Sequence, residues 1–210
     1  MTSTIVERYL GRTKYYFEVI EEKDKIGVAT GLVRTESGGE IIFVEAAQMK
    51  GKKELIITGS LGEVMRESAQ AALSYIRSNA ASFGIPDDFF DNRDIHIHVP
   101  SGAIQKDGPS AGITILVALA SLLTRRQARR DIAVTGEITL TGRILPVGGI
   151  QEKVLAARRA QVRTVIVPAR NREDVAELPE GVRKDIEIRT ADNVMDVVDA
   201  VLIKEEEMKN

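Results

Sequence analysis

The sequence predicts a mixed α/β domain of the α+β kind, and three observations carry that prediction. Closely spaced strand patterns crowd the first half, strands and helices alternate through the second, and one central helix is apolar on nearly every side. A helix without a polar face belongs in a core, and strands followed by helices call for a sheet covered by helices. With 210 residues the chain can bury a substantial core as one large domain or two small ones. Its 43% hydrophobic and 29% charged residues are ordinary for a globular protein. With a net charge of −2, nothing argues for a nucleic-acid-binding field or an anionic membrane surface, and neither partner is expected. The absence of cysteine excludes disulfides, thiol nucleophiles and cysteine-held metals. No apolar run approaches the ~18 residues of a membrane span, and Met1 to Thr4 lead into charged residues rather than a signal-peptide core. A cytoplasmic location is the resulting expectation.

Residues 1–20 are mixed, with Tyr15, Tyr16 and Phe17 together, and read as a linker from an upstream region into a domain at 21–203. Strand patterns follow at 26–33, 40–45 and 54–58, with turns at Ser37-Gly38-Gly39 and Lys50-Gly51-Lys52. Connections this short suggest an antiparallel meander. Met65, Ala69, Ala72, Ile76 and Ala80 recur at helical spacing over 62–81, and Gly84 closes that helix. A strand at 94–99 puts His96 and His98 on one face. No third ligand accompanies them, so they read as polar residues on a half-exposed strand and no metal is expected. The apolar helix occupies about 110–123, and the arginines at 125, 126, 129 and 130 read as a solvated connection. Strands at 132–138 and 144–147, a helix at about 150–160 and a strand at 164–167 come next. Asn171 reads as the N-cap of a short helix ending near Leu178. A strand at 186–189 and an amphipathic helix over Val194, Val197, Val198 and Val201 complete the domain, leaving 204–210 as a charged tail.

Chemistry concentrates at Asp107-Gly108-Pro109-Ser110-Ala111-Gly112. Two readings apply to it. Gly-Pro-Ser is a common way to begin a helix. Alternatively, Ser110 stands at a helix start, where unpaired N–H groups of Ser110 and Ala111 could hold an oxyanion. The spelling Gly-x-Ser-x-Gly also matches a hydrolase nucleophile elbow. That elbow needs a later histidine, and both histidines of this chain lie upstream.

A different base is available on the helix after Gly149. Ile150, Val154 and Ala157 form an apolar stripe, and Lys153 lies beside it with no carboxylate three or four residues away. By itself Lys153 also fits an exposed lysine snorkelling from the edge of the stripe. If buried, it would shed its proton: lowering its pKa from ~10.4 to about 7 costs roughly 4.6 kcal/mol. A neutral lysine amine can take a serine proton, which makes Ser110 and Lys153 a possible Ser–Lys pair.

Three ordered motifs resemble the proteolytic domain of bacterial Lon proteases. They are Lys106 to Gly112, Thr135-Gly136-Glu137-Ile138-Thr139-Leu140-Thr141-Gly142, and Leu145-Pro146-Val147-Gly148-Gly149-Ile150-Gln151-Glu152-Lys153-Val154-Leu155-Ala156-Ala157. The likeness extends to His96-Ile97-His98-Val99-Pro100 and to Gly27 through Leu32, covering about residues 20–203. The resemblance implies an ATP-dependent serine endopeptidase with Ser110 as nucleophile and Lys153 as general base. It also implies support from Thr135, which orients the amine, and from Asp107 and Glu137. Its partners would be unfolded protein or peptide substrates, sister subunits in a homo-hexamer and an upstream AAA+ ATPase. ATP and magnesium belong to that ATPase: the sequence contains no Gly-x-x-x-x-Gly-Lys-[Ser/Thr] loop, so no cofactor is expected here. A free-standing ATP-independent peptidase and a non-catalytic ring-forming scaffold are the alternatives. The chain departs from the family at Gln151 (usually lysine), Arg158 (usually histidine) and Gln161 (usually a glycine that ends the helix).

Overall fold

The computed structural model describes residues 23–36, 38–59, 61–100, 107–204 and 207, so the expected linker at 1–20 lies outside the described residues, as does most of the tail. Nine strands are described: β1 Val28–Thr35, β2 Gly38–Lys50, β3 Leu55–Thr58, β4 Arg93–His98, β5 Ile132–Val134, β6 Glu137–Ile138, β7 Ile144–Leu145, β8 Thr164–Pro168 and β9 Glu187–Ala191. The described helices are α1 Glu63–Ser78, α2 Gly112–Thr124, α3 Ile150–Arg159, α4 Arg172–Ala176, α5 Glu180–Asp185 and α6 Val194–Val201. Seven strands form one mixed sheet in the order β3-β4-β2-β1-β5-β8-β9, and β6 and β7 form a separate antiparallel pair. This is the mixed α/β fold that the sequence predicts.

The first three strands are not a meander. β1 and β2 do pair antiparallel, from Val28 opposite Glu45 to Thr35 opposite Gly38. However, β4 sits between β2 and β3, antiparallel to the first and parallel to the second. The Lys50-Gly51-Lys52 turn is the reason. Its backbone bonds to the start of β4 (Gly51 N–H to Asn92 O, Lys53 N–H to Arg93 O), and the Asp94 carboxylate accepts from Lys52 and Glu54 N–H at 2.7 and 2.9 Å. The turn thus wraps a third strand instead of closing a hairpin. α1 then supplies the long crossover that a parallel β3–β4 pair requires.

Alternation along β1 feeds two cores, one on each face of the sheet. Val33 points into the larger core with Ile42, Ile76, Ile115, Leu116 and Val197. Leu32 points the other way, joining Ile41, Ile150, Val154, Val165 and Val167. α2 is buried along Gly112 to Ser121, as an all-apolar helix must be. None of the described helices is long and apolar enough to cross a membrane.

Four smaller points depart from the expectations. The strand expected at 132–138 breaks after Val134, because there the backbone turns its hydrogen bonds over to the start of α2: Gly136 N–H donates to Ser110 O at 2.9 Å and Ile113 N–H to Gly136 O at 3.1 Å. Asn171 does not cap α4 with its side chain. Its amide instead brackets Val147, accepting from the N–H at 3.0 Å and donating to the carbonyl at 2.9 Å, which fixes the approach to α3. α5 was not foreseen, since Val182 is its one buried residue and leaves no periodic stripe to read. Arg126, expected to be solvated, donates to the carbonyls of Leu202 and Ile203, both at 3.0 Å, and ties the chain's end to this connection.

Candidate active site at the start of the buried helix

Ser110 lies in a 3-10 turn, Pro109–Ala111, immediately before α2 rather than in the helix's own first turn. Gly108 makes that turn possible. Its φ of 133° and ψ of 157° fall in a region essentially restricted to glycine, although no atom of the described residues lies within 4 Å of where a Cβ would be. The requirement is therefore conformational and not steric. Ser110 is half-buried, and its hydroxyl makes no hydrogen bond among the described residues. The Gly112 and Ile113 N–H groups are already engaged, by Pro109 O and Gly136 O.

Asp107 anchors this segment from the other side. Its carboxylate accepts from Gly108 N–H at 2.9 Å and from Met65 N–H, in the first turn of α1, at 3.1 Å. Gly62, the N-cap residue of α1, has no side chain to cap with, and a Cβ there would meet the Asp107 carboxyl carbon at 2.1 Å. Asp107 thus caps α1 from outside the helix and fixes the residue three positions before the nucleophile candidate.

Thr135 links the two halves of the site. Its buried hydroxyl lies 3.3 Å from Ser110 O and 3.2 Å from Leu32 O, so one proton is shared between two carbonyls. Leu32 packs in the same core as Ile150 and Val154 of α3. Ser110, Thr135, β1 and the lysine's helix are therefore joined in sequence at the end of β5. Thr135 makes no hydrogen bond to Lys153 in this arrangement, and none joins Ser110 Oγ to Lys153 Nζ. Glu137 begins β6, half-buried, with no side-chain hydrogen bond or ion pair among the described residues.

Lys153 is only 2% exposed. It is buried as deeply as the apolar stripe beside it, so it does not snorkel. No hydrogen bond or ion pair among the described residues holds its amine. Desolvation pushes its pKa down from 10.5 to about 8, partly opposed by the Glu152 carboxylate and reinforced by the Arg34 guanidinium. Glu152 adjoins Lys153 in sequence, outside the three- and four-residue spacing of helical ion pairs. It pairs with Arg34 Nε at 3.3 Å. α3 begins at Gly149, whose φ of 72° is left-handed and whose missing Cβ leaves room for Arg34, since a Cβ there would lie 2.6 Å from Arg34 Cδ. On the next strand, a Cβ on Gly39 would lie 2.0 Å from Glu152 O, and Arg159 donates to Gly39 O at 2.7 Å. The β1–β2 hairpin is thereby pressed against the lysine's helix.

Thr58 joins His96 and His98. Its Oγ1 is 2.7 Å from His96 Nε2 and 2.7 Å from His98 Nδ1. A hydroxyl has one proton, so with both rings neutral one accepts from Thr58 and the other donates to it. Among the described residues there is no cluster of three or more metal-ligating side chains.

The Lon protease (S16) C-terminal proteolytic domain matches residues 1–204. Curated relatives include Lon proteases of Citrifermentans bemidjiense (56% identical, 91% of this chain and 24% of that protein) and Syntrophus aciditrophicus (56%, 94% and 25%). A third, from Aquifex aeolicus, is 54% identical over 98% of this chain and 26% of its own length. The chain therefore spans about a quarter of the length of these relatives. A Ser110 held at the mouth of a buried helix, a deeply buried lysine and this family match agree, and the chain belongs to the Lon protease C-terminal proteolytic domain family.

Proposed function

We propose that this chain is a serine endopeptidase in which Ser110 attacks the peptide carbonyl and Lys153 is the general base. The observation that carries this reading is the burial of Lys153, whose pKa of about 8 leaves a useful fraction neutral near pH 7 to 8. The neutral amine takes the Ser110 Oγ proton as Oγ bonds to the carbonyl carbon. The resulting ammonium returns that proton to the leaving amine as the peptide C–N bond breaks. Water then repeats the sequence on the acyl-enzyme and releases the carboxylate.

The oxyanion is assigned to the Ser110 and Ala111 N–H groups, at the positive end of α2. Thr135 is assigned to orienting the amine: its hydroxyl proton goes to carbonyls, which leaves oxygen lone pairs to accept from Nζ. Asp107 holds the segment, and Glu137 is kept as a supporting carboxylate. Substrate binding must draw Oγ and Nζ into hydrogen-bond range, as catalytic pairs in resting enzymes commonly require. Within a protein of the relatives' length, this domain would be the proteolytic part of an ATP-dependent homo-hexamer fed unfolded protein by an upstream AAA+ ATPase. ATP and magnesium would belong to that region, and the setting would be cytoplasmic.

Ser110→Ala and Lys153→Ala, each made separately, should abolish hydrolysis of a fluorogenic peptide and of an unfolded protein. Activity at the parent level in either variant removes the assignment. Labelling of Ser110 by a serine-directed inhibitor separates this reading from a non-catalytic scaffold.

A further inference from the structure

Two charges of opposite sign sit beside the buried lysine and bind each other. Glu152 adjoins Lys153 on α3. Its side chain, 38% exposed, turns to Arg34 Nε at 3.3 Å, and Arg34 reaches it from the next-to-last residue of β1 by crossing Gly149. A glycine at the helix start is what lets the arginine stem lie there. Of the other charged groups on elements packed against α3, Glu45, Lys50, Arg172, Glu173 and Arg183 are exposed, Glu180 pairs with Lys184, and three carboxylates have partners elsewhere. Glu40 of β2 lies 3.5 Å from the Thr35 hydroxyl, Asp174 of α4 accepts from Asn171 at 2.7 Å, and Asp185 of α5 pairs with Arg158 at 2.5 Å. Glu152 and Arg34 are the charges that bear on Lys153.

We propose that Arg34 is a positioning residue for the reaction, which holds the Glu152 carboxylate away from the Lys153 amine and so keeps that amine available as a base near neutral pH. Without Arg34, the carboxylate next to Lys153 would be free to turn inward. A lysine paired with a carboxylate stays protonated and cannot accept the serine proton. Arg34 thus acts through Glu152 and touches neither substrate nor the reacting atoms. The proposal rests on Lys153 being the base, as set out above.

The test is the pH profile of kcat/KM on a fluorogenic peptide, which reports groups of the free enzyme. It needs the parent, Arg34→Gln, Arg34→Lys, Glu152→Gln and the Arg34→Gln/Glu152→Gln double variant. Arg34→Gln should move the rising limb to higher pH by roughly 0.5 unit or more, the scale of one nearby charge at a partly exposed site. Glu152→Gln should move it to lower pH, while Arg34→Lys and the double variant stay near the parent. A pair that merely holds the hairpin on the helix would lower activity in both single variants without moving the limb. Limbs that stay put, or that move the same way in both, overturn the proposal. Glu152→Gln is nearly isosteric, so its result stands even if Arg34→Gln folds poorly. Activity surviving in Lys153→Ala would instead overturn the dyad itself. Titration of the Lys153 side chain by NMR in a Ser110→Ala background gives the same signs without any turnover.

Discussion

Replacing Lys153 by methionine removes the charge that the fold buries and keeps an unbranched side chain of similar length. The pKa of Lys153 falls from 10.5 to about 8 on folding, so below pH 8 the folded chain pays about 3 kcal/mol to keep this ammonium charged, at ~1.36 kcal/mol per unit. Between pH 8 and 10.5 the unfolded chain holds the proton more tightly than the folded one. Stability therefore rises with pH through that window and the cost has gone above it. Lys153→Met should stabilise the chain by about 3 kcal/mol at pH 7 relative to pH 10.5, on top of any pH-independent gain from an apolar side chain. The assay is urea unfolding of parent and variant at a series of pH values. Every other titrating group is common to both, so the difference isolates residue 153. A variant no more stable than the parent at pH 7, or one whose advantage is the same at pH 10.5, would refute the buried-charge reasoning. The stabilised variant should also be inactive, since the destabilising group is the proposed base.

Three further outcomes are expected. Gln161 closes α3 with a left-handed φ of 64°, and the flanking bonds (Val162 N–H to Ala157 O, Gln161 N–H to Arg158 O) form a Schellman turn, so Gln161→Gly should raise stability by roughly 0.5–1 kcal/mol in chemical denaturation. Asp107→Ala should cost about 1 kcal/mol through the lost cap on α1, while Asp107→Asn, still able to accept from Met65 N–H, should keep most of it; equal losses in both would point to charge instead. Gly108→Ala meets no atom of the described residues but cannot readily adopt the required backbone, so it should cost roughly 1–3 kcal/mol or move the turn, with kcat falling more than KM rises.

Much of the site was legible because its chemistry is local. A serine after Gly-Pro at the head of an all-apolar helix, with no downstream histidine, already required another base. Lys153 beside the Ile150–Val154–Ala157 stripe was the lysine available, but the stripe alone fitted an exposed lysine at its edge as well, and only the fold shows it buried. Longer-range features were not legible. Arg34 lies on a strand far from Glu152 in sequence, and nothing in either neighbourhood marks them as partners. The insertion of β4 between β2 and β3 is held by bonds to residues 92–94, among them those of the Asp94 carboxylate, from a turn that resembles an ordinary hairpin. The break between β5 and β6 was hidden for a similar reason. Ile132 through Ile138 reads as one strand until Gly136 is seen to spend its hydrogen bonds on Ser110 and Ile113.

The central claim, that a buried Lys153 activates Ser110, is tested most directly by the pH dependence of Ser110 acylation. A serine-directed acylating reagent would be used, with the modified residue counted by mass spectrometry. The rate should rise through an apparent pKa near 8 in the parent and collapse at every pH in Lys153→Met. A rate that rises only near pH 10, or that survives in Lys153→Met, would contradict it.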